Sequence, residues 1–217
     1  MTHDLMRVNI LATHMIANLS DGVAQQLGLP DGYRSIGILT TDCDDATYCA
    51  LDEATKKAMV EVVYAKSMYA GAANASTKYA GEVIGVLAGP NPDEVTAGLR
   101  AAVAFLEGGV GFRSANEDDS VVYFAHTVSR TGSYLARAAG VPEGQALAYL
   151  IAPPLEAVVG LDEALKAADV RMALLYEPPS ETNFGGGLLT GSQSACQAAA
   201  AAFEAAVLDV AGRPREV

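Results

Sequence analysis

Two rhythms alternate along the chain: short apolar runs of strand length, and longer segments whose apolar positions recur every three or four residues, as on one face of a helix. An apolar segment at residues 5–13 leads into a helical stretch closing at Gly28, where a glycine with Pro30 just beyond fits a helix stop. A strand is predicted at 35–40, then a helix whose start Asp44 or Asp45 can cap, since acidic residues suit the positive end of the helix dipole. On that helix Tyr48, Leu51 and Ala58 lie on or near one face. Two strands, 60–68 and 82–87, precede an alanine-rich helix at 92–107. The series then begins again: an apolar segment at 121–128, a helical stretch to Gly140, a strand at 147–151, a helix, strands at 170–177 and 187–190, and an alanine-rich helix at 194–210. Strands alternating with helices predict an α/β (α+β) fold with helices packed against a sheet.

The repetition extends to residues. Leu51-Asp52-Glu53-Ala54 is echoed by Leu161-Asp162-Glu163-Ala164 at an offset of 110. Gly28-Leu29-Pro30-Asp31-Gly32 matches Gly140-Val141-Pro142-Glu143-Gly144 at 112, and the apolar runs 36–40 and 148–152 are expected to keep that register. Leu87-Ala88-Gly89 matches Leu189-Thr190-Gly191 at 102. Matches in one order with slightly different offsets imply two copies of a module of roughly 105 residues. The boundary is expected at the glycine-rich stretch Gly108 to Gly111, giving domains 1–108 and 109–217.

Composition narrows the class. With 26 acidic against 14 basic residues the formal charge is −12, which opposes nucleic-acid phosphates and anionic lipid alike. The N-terminus has no uninterrupted apolar run of signal-peptide type, and no stretch is expected to approach the length needed to span a bilayer. A soluble intracellular protein is the expectation. Half of the residues are hydrophobic (51%), yet much of that is alanine and glycine, which bury little area each, so packing shared with neighbouring subunits is expected. Cys43, Cys49 and Cys196, odd in number and without metal-like spacing, read as reduced thiols.

Catalytic constellations are thin. His3, His14 and His126 form no metal motif, Gly185-Gly186-Gly187 lacks the Lys-Ser/Thr of a phosphate loop, and no cofactor motif is present. Hydroxyls at Ser192 and Ser194 sit where helix capping is the default role. Cys43 lies between Asp42 and Asp44, whose charges raise a thiol pKa, so it is a poor nucleophile. Asp42, Asp44 and Asp45 cluster at a helix entry near Glu82; they form either a solvated helix start or a site for a small amine or metal cation. Thr182 and Asn183 add a hydroxyl and an amide. Each module also joins its last two strands by a long small-residue loop, 69–81 and 178–186. That is either a plain hairpin tip or a mobile segment at a ligand site or pore.

Several blocks carry a resemblance across essentially the whole chain. Asp42-Cys43-Asp44-Asp45-Ala46-Thr47-Tyr48, Val62-Val63-Tyr64-Ala65-Lys66-Ser67-Met68-Tyr69, Gly81-Glu82-Val83, Val128-Ser129-Arg130-Thr131-Gly132-Ser133-Tyr134-Leu135, Ala152-Pro153-Pro154-Leu155-Glu156 and Leu188-Leu189-Thr190-Gly191-Ser192-Gln193 resemble the EutL-like shell proteins of the bacterial ethanolamine-utilization microcompartment. The resemblance implies two tandem, circularly permuted BMC domains per chain and a homotrimer shaped as a pseudohexameric disc. It further implies tiling with other shell proteins within the cytoplasm, and no catalytic turnover. Carried onto this chain, it implies a central pore gated by loops 67–79 and 178–187, with Ser67, Tyr69, Gly71, Asn74, Glu181, Phe184 and Gly185 as gating positions. It also implies small channels holding ethanolamine at Asp44 or Asp45, Glu82, Phe112, Thr182 and Asn183, with carboxylates on the ammonium and a hydroxyl partner at Thr182. Zinc is associated with open forms of the family, and no ligands for it are assigned here. The contrasting reading is a small-molecule-binding trimeric regulator or enzyme that uses the acidic pocket.

Overall fold

A computed structural model describes residues 4–67, 82–178, 180 and 183–215. Two compact units emerge, one made of Val8–Val110 with Gly132–Leu135, the other of residues 4–7, Gly111–Thr131 and the described part of Ala136–Val217. In the first, the chain runs β1 (Ile10–Ile16), α1 (Asp21–Leu27), β2 (Ser35–Thr41), α2 (Asp44–Lys57), β3 (Glu61–Ser67), β4 (Val83–Gly89) and α3 (Pro92–Glu107). After β5 (Arg113–Ser114) the order recurs as β6 (Val122–Val128), α4 (Ser133–Ala139), β7 (Ala146–Ala152), α5 (Pro154–Ala167), β8 (Val170–Tyr176), β9 (Gly185–Gly191) and α6 (Gln193–Gly212). The first unit holds an antiparallel sheet ordered β1-β2-β4-β3. The second repeats it as β5-β6-β7-β9-β8, adding the short edge strand β5 that hydrophobic periodicity did not predict.

The duplication reaches backbone detail. Gly28 and Gly140, just past α1 and α4, have φ of 64° and 62°, and Gly32 and Gly144 both have φ of 82°. These left-handed conformations favour glycine and stop both helices alike. A bulge between Val62 and Tyr64 in β3 recurs between Met172 and Leu174 in β8.

In the first unit α2 and α3 pack on one sheet face, with Leu51 over Gly85, and Leu99 and Val95 over Gly37. A Cβ on Gly85 would come within 2.5 Å of Leu51, so glycine sets how closely helix meets sheet. On the opposite face Leu19, Ile36, Val86 and Ala88 form a second cluster joined by Ala24 and Leu27 of α1. In the other unit Ala157, Leu161 and Ala164 of α5 and Cys196, Ala199 and Phe203 of α6 cover β7 and β9. Gly160 gives the Phe203 ring its place, since a Cβ there would lie 2.6 Å from it.

Several sequence expectations need correction. β1 begins at Ile10 rather than residue 5; Leu5 instead bridges Arg113 in the other unit. Ser35 pairs with Gly89 and Ala146 with Gly191, so β2 and β7 correspond at an offset of 111, because the turn after Gly144 is one residue shorter than that after Gly32. Neither Asp44 nor Asp45 caps α2: Cys43 holds the N-cap position without a side-chain cap, and both carboxylates lie in the first helical turn. Ala58 follows that helix in extended conformation. Gly185 and Gly186, expected in the loop, open β9 by pairing with Ala152 and Ile151, and a Cβ on Gly186 would strike the Leu150 carbonyl oxygen. Finally, α6 has 20 residues and is apolar enough to meet the length and composition of a membrane span, which the sequence reading had excluded. Its Cys196, Ala199, Phe203 and Val207 face is core of the second unit.

Candidate functional site

The acidic turn of the first unit is built by the exit from β2. Thr41 Oγ1 accepts from the Cys43 amide (3.2 Å) and lies 2.6 Å from Thr47 Oγ1, while the Thr47 hydroxyl donates to the Cys43 carbonyl (2.8 Å). Asp42 is held at the rim, accepting from the backbone amide and the side-chain amide of Asn9 at 2.8 and 2.6 Å. Behind it Asp44 and Asp45 are both buried, and Asp44 Oδ1 accepts from the Asp45 amide at 2.9 Å. The Ser67 hydroxyl at the end of β3 also bonds to Asp44. Ser67 stands in register with Val83, so Glu82 lies at the same end of the sheet.

Burial dominates the electrostatics. Desolvation pushes the Asp44 carboxyl above its ordinary range, against the hydrogen bonds from Ser67 and the Asp45 amide. The Cys43 thiol is pushed up by burial first and by Asp44 and Asp45 next; Cys49 is raised by burial, then by Asp45 and Asp52. Both remain thiols at neutral pH and offer no nucleophile. Ser192 caps α6, its hydroxyl accepting from the Ala195 amide at 3.1 Å, as its position in the sequence suggests.

In the second unit Phe112 is buried, its ring 5.6 Å from Phe124 and 5.5 Å from Phe184, and its carbonyl accepts from the Met6 amide at 2.8 Å. Asn183 is exposed with φ of 71°, and the Ser180 amide donates to the Phe184 carbonyl beside it. Phe184 is buried, and Gly185 is the first residue of β9. The candidate ligand set is therefore divided: Asp44, Asp45 and Glu82 belong to the first unit, Phe112 and Asn183 to the second. Thr182, Glu181, Tyr69, Gly71 and Asn74 lie outside the described residues. Among the described residues no group of three His, Cys, Asp or Glu side chains converges to hold a metal ion, so the zinc of the resemblance finds no fit there.

Asp52 is the residue that sequence reasoning missed. Fully buried on α2, it receives the Gly132 amide on Oδ2 and the Leu135 amide on Oδ1, each at 2.8 Å, and Lys56 stands 3.6 Å away. Thr55 Oγ1 accepts from the Ser133 amide beside it (3.1 Å). Its burial raises its pKa, with Gly132 and Leu135 opposing. The signal was the echo of Asp52 in Asp162, though nothing local pointed to a partner 80 residues away.

Two α-on-sheet modules of the same topology in one chain define a tandem-module protein. Residues 35–115 match the BMC domain family. Over 99% of both chains, 62% of positions are identical to the bacterial microcompartment shell protein EutL of Clostridium perfringens. The crystal structure of ethanolamine utilization protein EutL from Leptotrichia buccalis superimposes with a TM-score of 0.96 at 64% identity, covering both chains completely. A trimeric shell protein, PduB, shares the fold at a TM-score of 0.75 and 20% identity, with 94% of this chain and 89% of that one covered. The chain belongs to the EutL family of bacterial microcompartment shell proteins. It is a structural shell component and not an enzyme, which sets the enzyme reading aside.

Proposed function

We propose that three copies of this chain close into a pseudohexameric tile of an ethanolamine-utilization microcompartment shell, perforated by a central pore. The two modules correspond to BMC domains at 1–108 and 109–217. The segments 67–79 and 178–187, the second running into β9, gate the pore, and ethanolamine binds within each subunit through Asp44 or Asp45, Glu82, Phe112, Thr182 and Asn183. The observation that carries the ligand reading is the pair of buried carboxylates, Asp44 and Asp45, in one helical turn beside Ser67, at the end of the sheet where Glu82 also lies. A buried carboxylate gains most from a cation that supplies both charge and hydrogen bonds, and a primary ammonium carries three donors. The relatives' names supply the ethanolamine pathway, and the net charge of −12 attracts a cationic amine toward the tile. Bound amine shifts the gate only insofar as it prefers one loop arrangement.

Calorimetric titration with ethanolamine tests the site. Asp45→Asn and Glu82→Gln are each expected to weaken binding about tenfold, the loss of one charge-assisted hydrogen bond at roughly 1.5 kcal/mol. Wild-type affinity in both variants removes these residues from the ligand site.

A further inference from the structure

The two modules differ at the turn that leads into the third strand of each. Ala58 and Ala168, which follow α2 and α5, share a φ of −143°, and the amides of Val60 and Val170 each return to the carbonyl two residues back at 2.9 Å. Met59 therefore corresponds to Asp169, and Glu61 to Arg171, at an offset of 110. The N-caps of α3 and α6 correspond in the same way. Asn91 accepts from the Glu94 amide and Ser192 from the Ala195 amide, so Glu94 and Ala195 are duplicates at an offset of 101.

In the first unit the Glu94 side chain reaches the turn, and the Met59 amide donates to its Oε2 at 2.6 Å. In the second unit alanine stops at Cβ, where Glu94 carries a further CH2 and a carboxylate. The local charge inverts as well, since Glu61 and Glu94 give way to Arg171 and Ala195. A cavity of about 390 Å³ opens at this place, lined by Gln145, Asp169, Arg171, Thr190 and Ser192 among others. Asp169 and Ser192 are the duplicates of Met59 and Asn91, the two residues that hold Glu94 in the first unit. The neighbouring wall is fixed: Thr190 Oγ1 donates to the Ala146 carbonyl at 3.0 Å, and Gln145 Nε2 to the Gly191 carbonyl at 2.9 Å. Arg171 is exposed and forms no ion pair among the described residues.

We propose that this cavity of the second unit binds a free small aliphatic carboxylate, in the place that the Glu94 carboxylate takes in the first. The Asp169 amide donates to the ligand as the Met59 amide donates to Glu94. Arg171 supplies what a free anion needs and a tethered one does not. The chain itself holds Glu94 in position, whereas a ligand gives up translational and rotational freedom, which a charge-assisted contact to the guanidinium offsets. Acetate is the part of Glu94 that Ala195 lacks, and the cavity volume admits a chain a few carbons longer. The Asp169 carboxylate lines the same cavity and opposes the anion, so it sets the affinity low.

Nuclear magnetic resonance of the deuterated, 15N-labelled chain tests the site, with sodium acetate titrated against sodium chloride at equal ionic strength. The Asp169 amide resonance is expected to move saturably with acetate and not with chloride, while the Met59 amide, already bonded to Glu94, stays in place. Arg171→Gln should weaken the response about tenfold, as one charge-assisted contact is lost, and Asp169→Asn should strengthen it. Ala195→Glu supplies the carboxylate covalently. With the rest of the spectrum in place, its Asp169 amide is expected at the shifted position before any acetate is added, and to ignore acetate thereafter. Equal responses to acetate and chloride, or a wild-type acetate response in either Arg171→Gln or Ala195→Glu, overturn the site and leave the shell-tile reading standing.

Discussion

Asp44 shows how a single residue links the fold to the proposed ligand site. Its carboxyl is raised by burial, so the folded chain holds that proton at a pH where the unfolded chain, with a carboxylate near 3.8, has released it. Stability therefore falls as pH rises through the interval between the unfolded and the folded value, and the cost of the ionised form persists above it. Asp44→Asn removes that cost while keeping an acceptor for Ser67. Its melting temperature is expected to exceed that of the wild type at neutral pH, with the gap closing at acid pH; a gap independent of pH would contradict the assignment. For an amine ligand the sign reverses, because the ammonium needs the carboxylate ionised. Cys43 illustrates the reach of local reading: the flanking aspartates already marked its thiol as raised, while the larger contribution, burial, comes from packing.

At the scale of elements, alanine and glycine define the distances. Gly85 and Gly37 let α2 and α3 lie close on the first sheet, and Gly160 makes room for Phe203 in the second unit. Gly85→Ala would drive a methyl to 2.5 Å from Leu51, a side chain with no exposed surface into which to relax. A destabilisation of about 1–3 kcal/mol is expected from such overpacking, read from urea denaturation. Gly98→Ala should cost markedly less, since its methyl meets Val60 no closer than 3.1 Å and alanine favours the helix. Helix stops and the Ser192 cap were legible because each depends on a few adjacent residues. The extra strand β5 was not: its two residues show no period, and its existence depends on the pairing of Arg113 with Tyr123 and Ser114 with Val122.

For the whole molecule, the family places the chain in a bacterial microcompartment shell. A chain of net charge −12 repels its neighbours in a flat array, and added salt screens that repulsion. Electron microscopy of the purified chain is expected to show discs at low ionic strength and growing sheets as salt is raised; isolated particles under every condition would contradict the tile. The same charge that opposes nucleic acid as a partner is expected to draw a cationic amine toward the pore proposed above.

The sequence by itself determined the two-module organisation, the order of elements and the resemblance, because periodicity, glycine stops and repeated motifs are written in neighbouring residues. Tertiary structure alone decided the one-residue change of register between β2 and β7, which is set by the pairing of Ser35 with Gly89 and Ala146 with Gly191. It also decided that Asp52 is core while its duplicate Asp162 is surface. These two aspartates occupy the same motif on equivalent helices, and only the chain segment lying across each helix distinguishes them. Burial and hydrogen bonding between residues distant in sequence arise from the path of the folded chain, so the local pattern carries no record of which copy is covered.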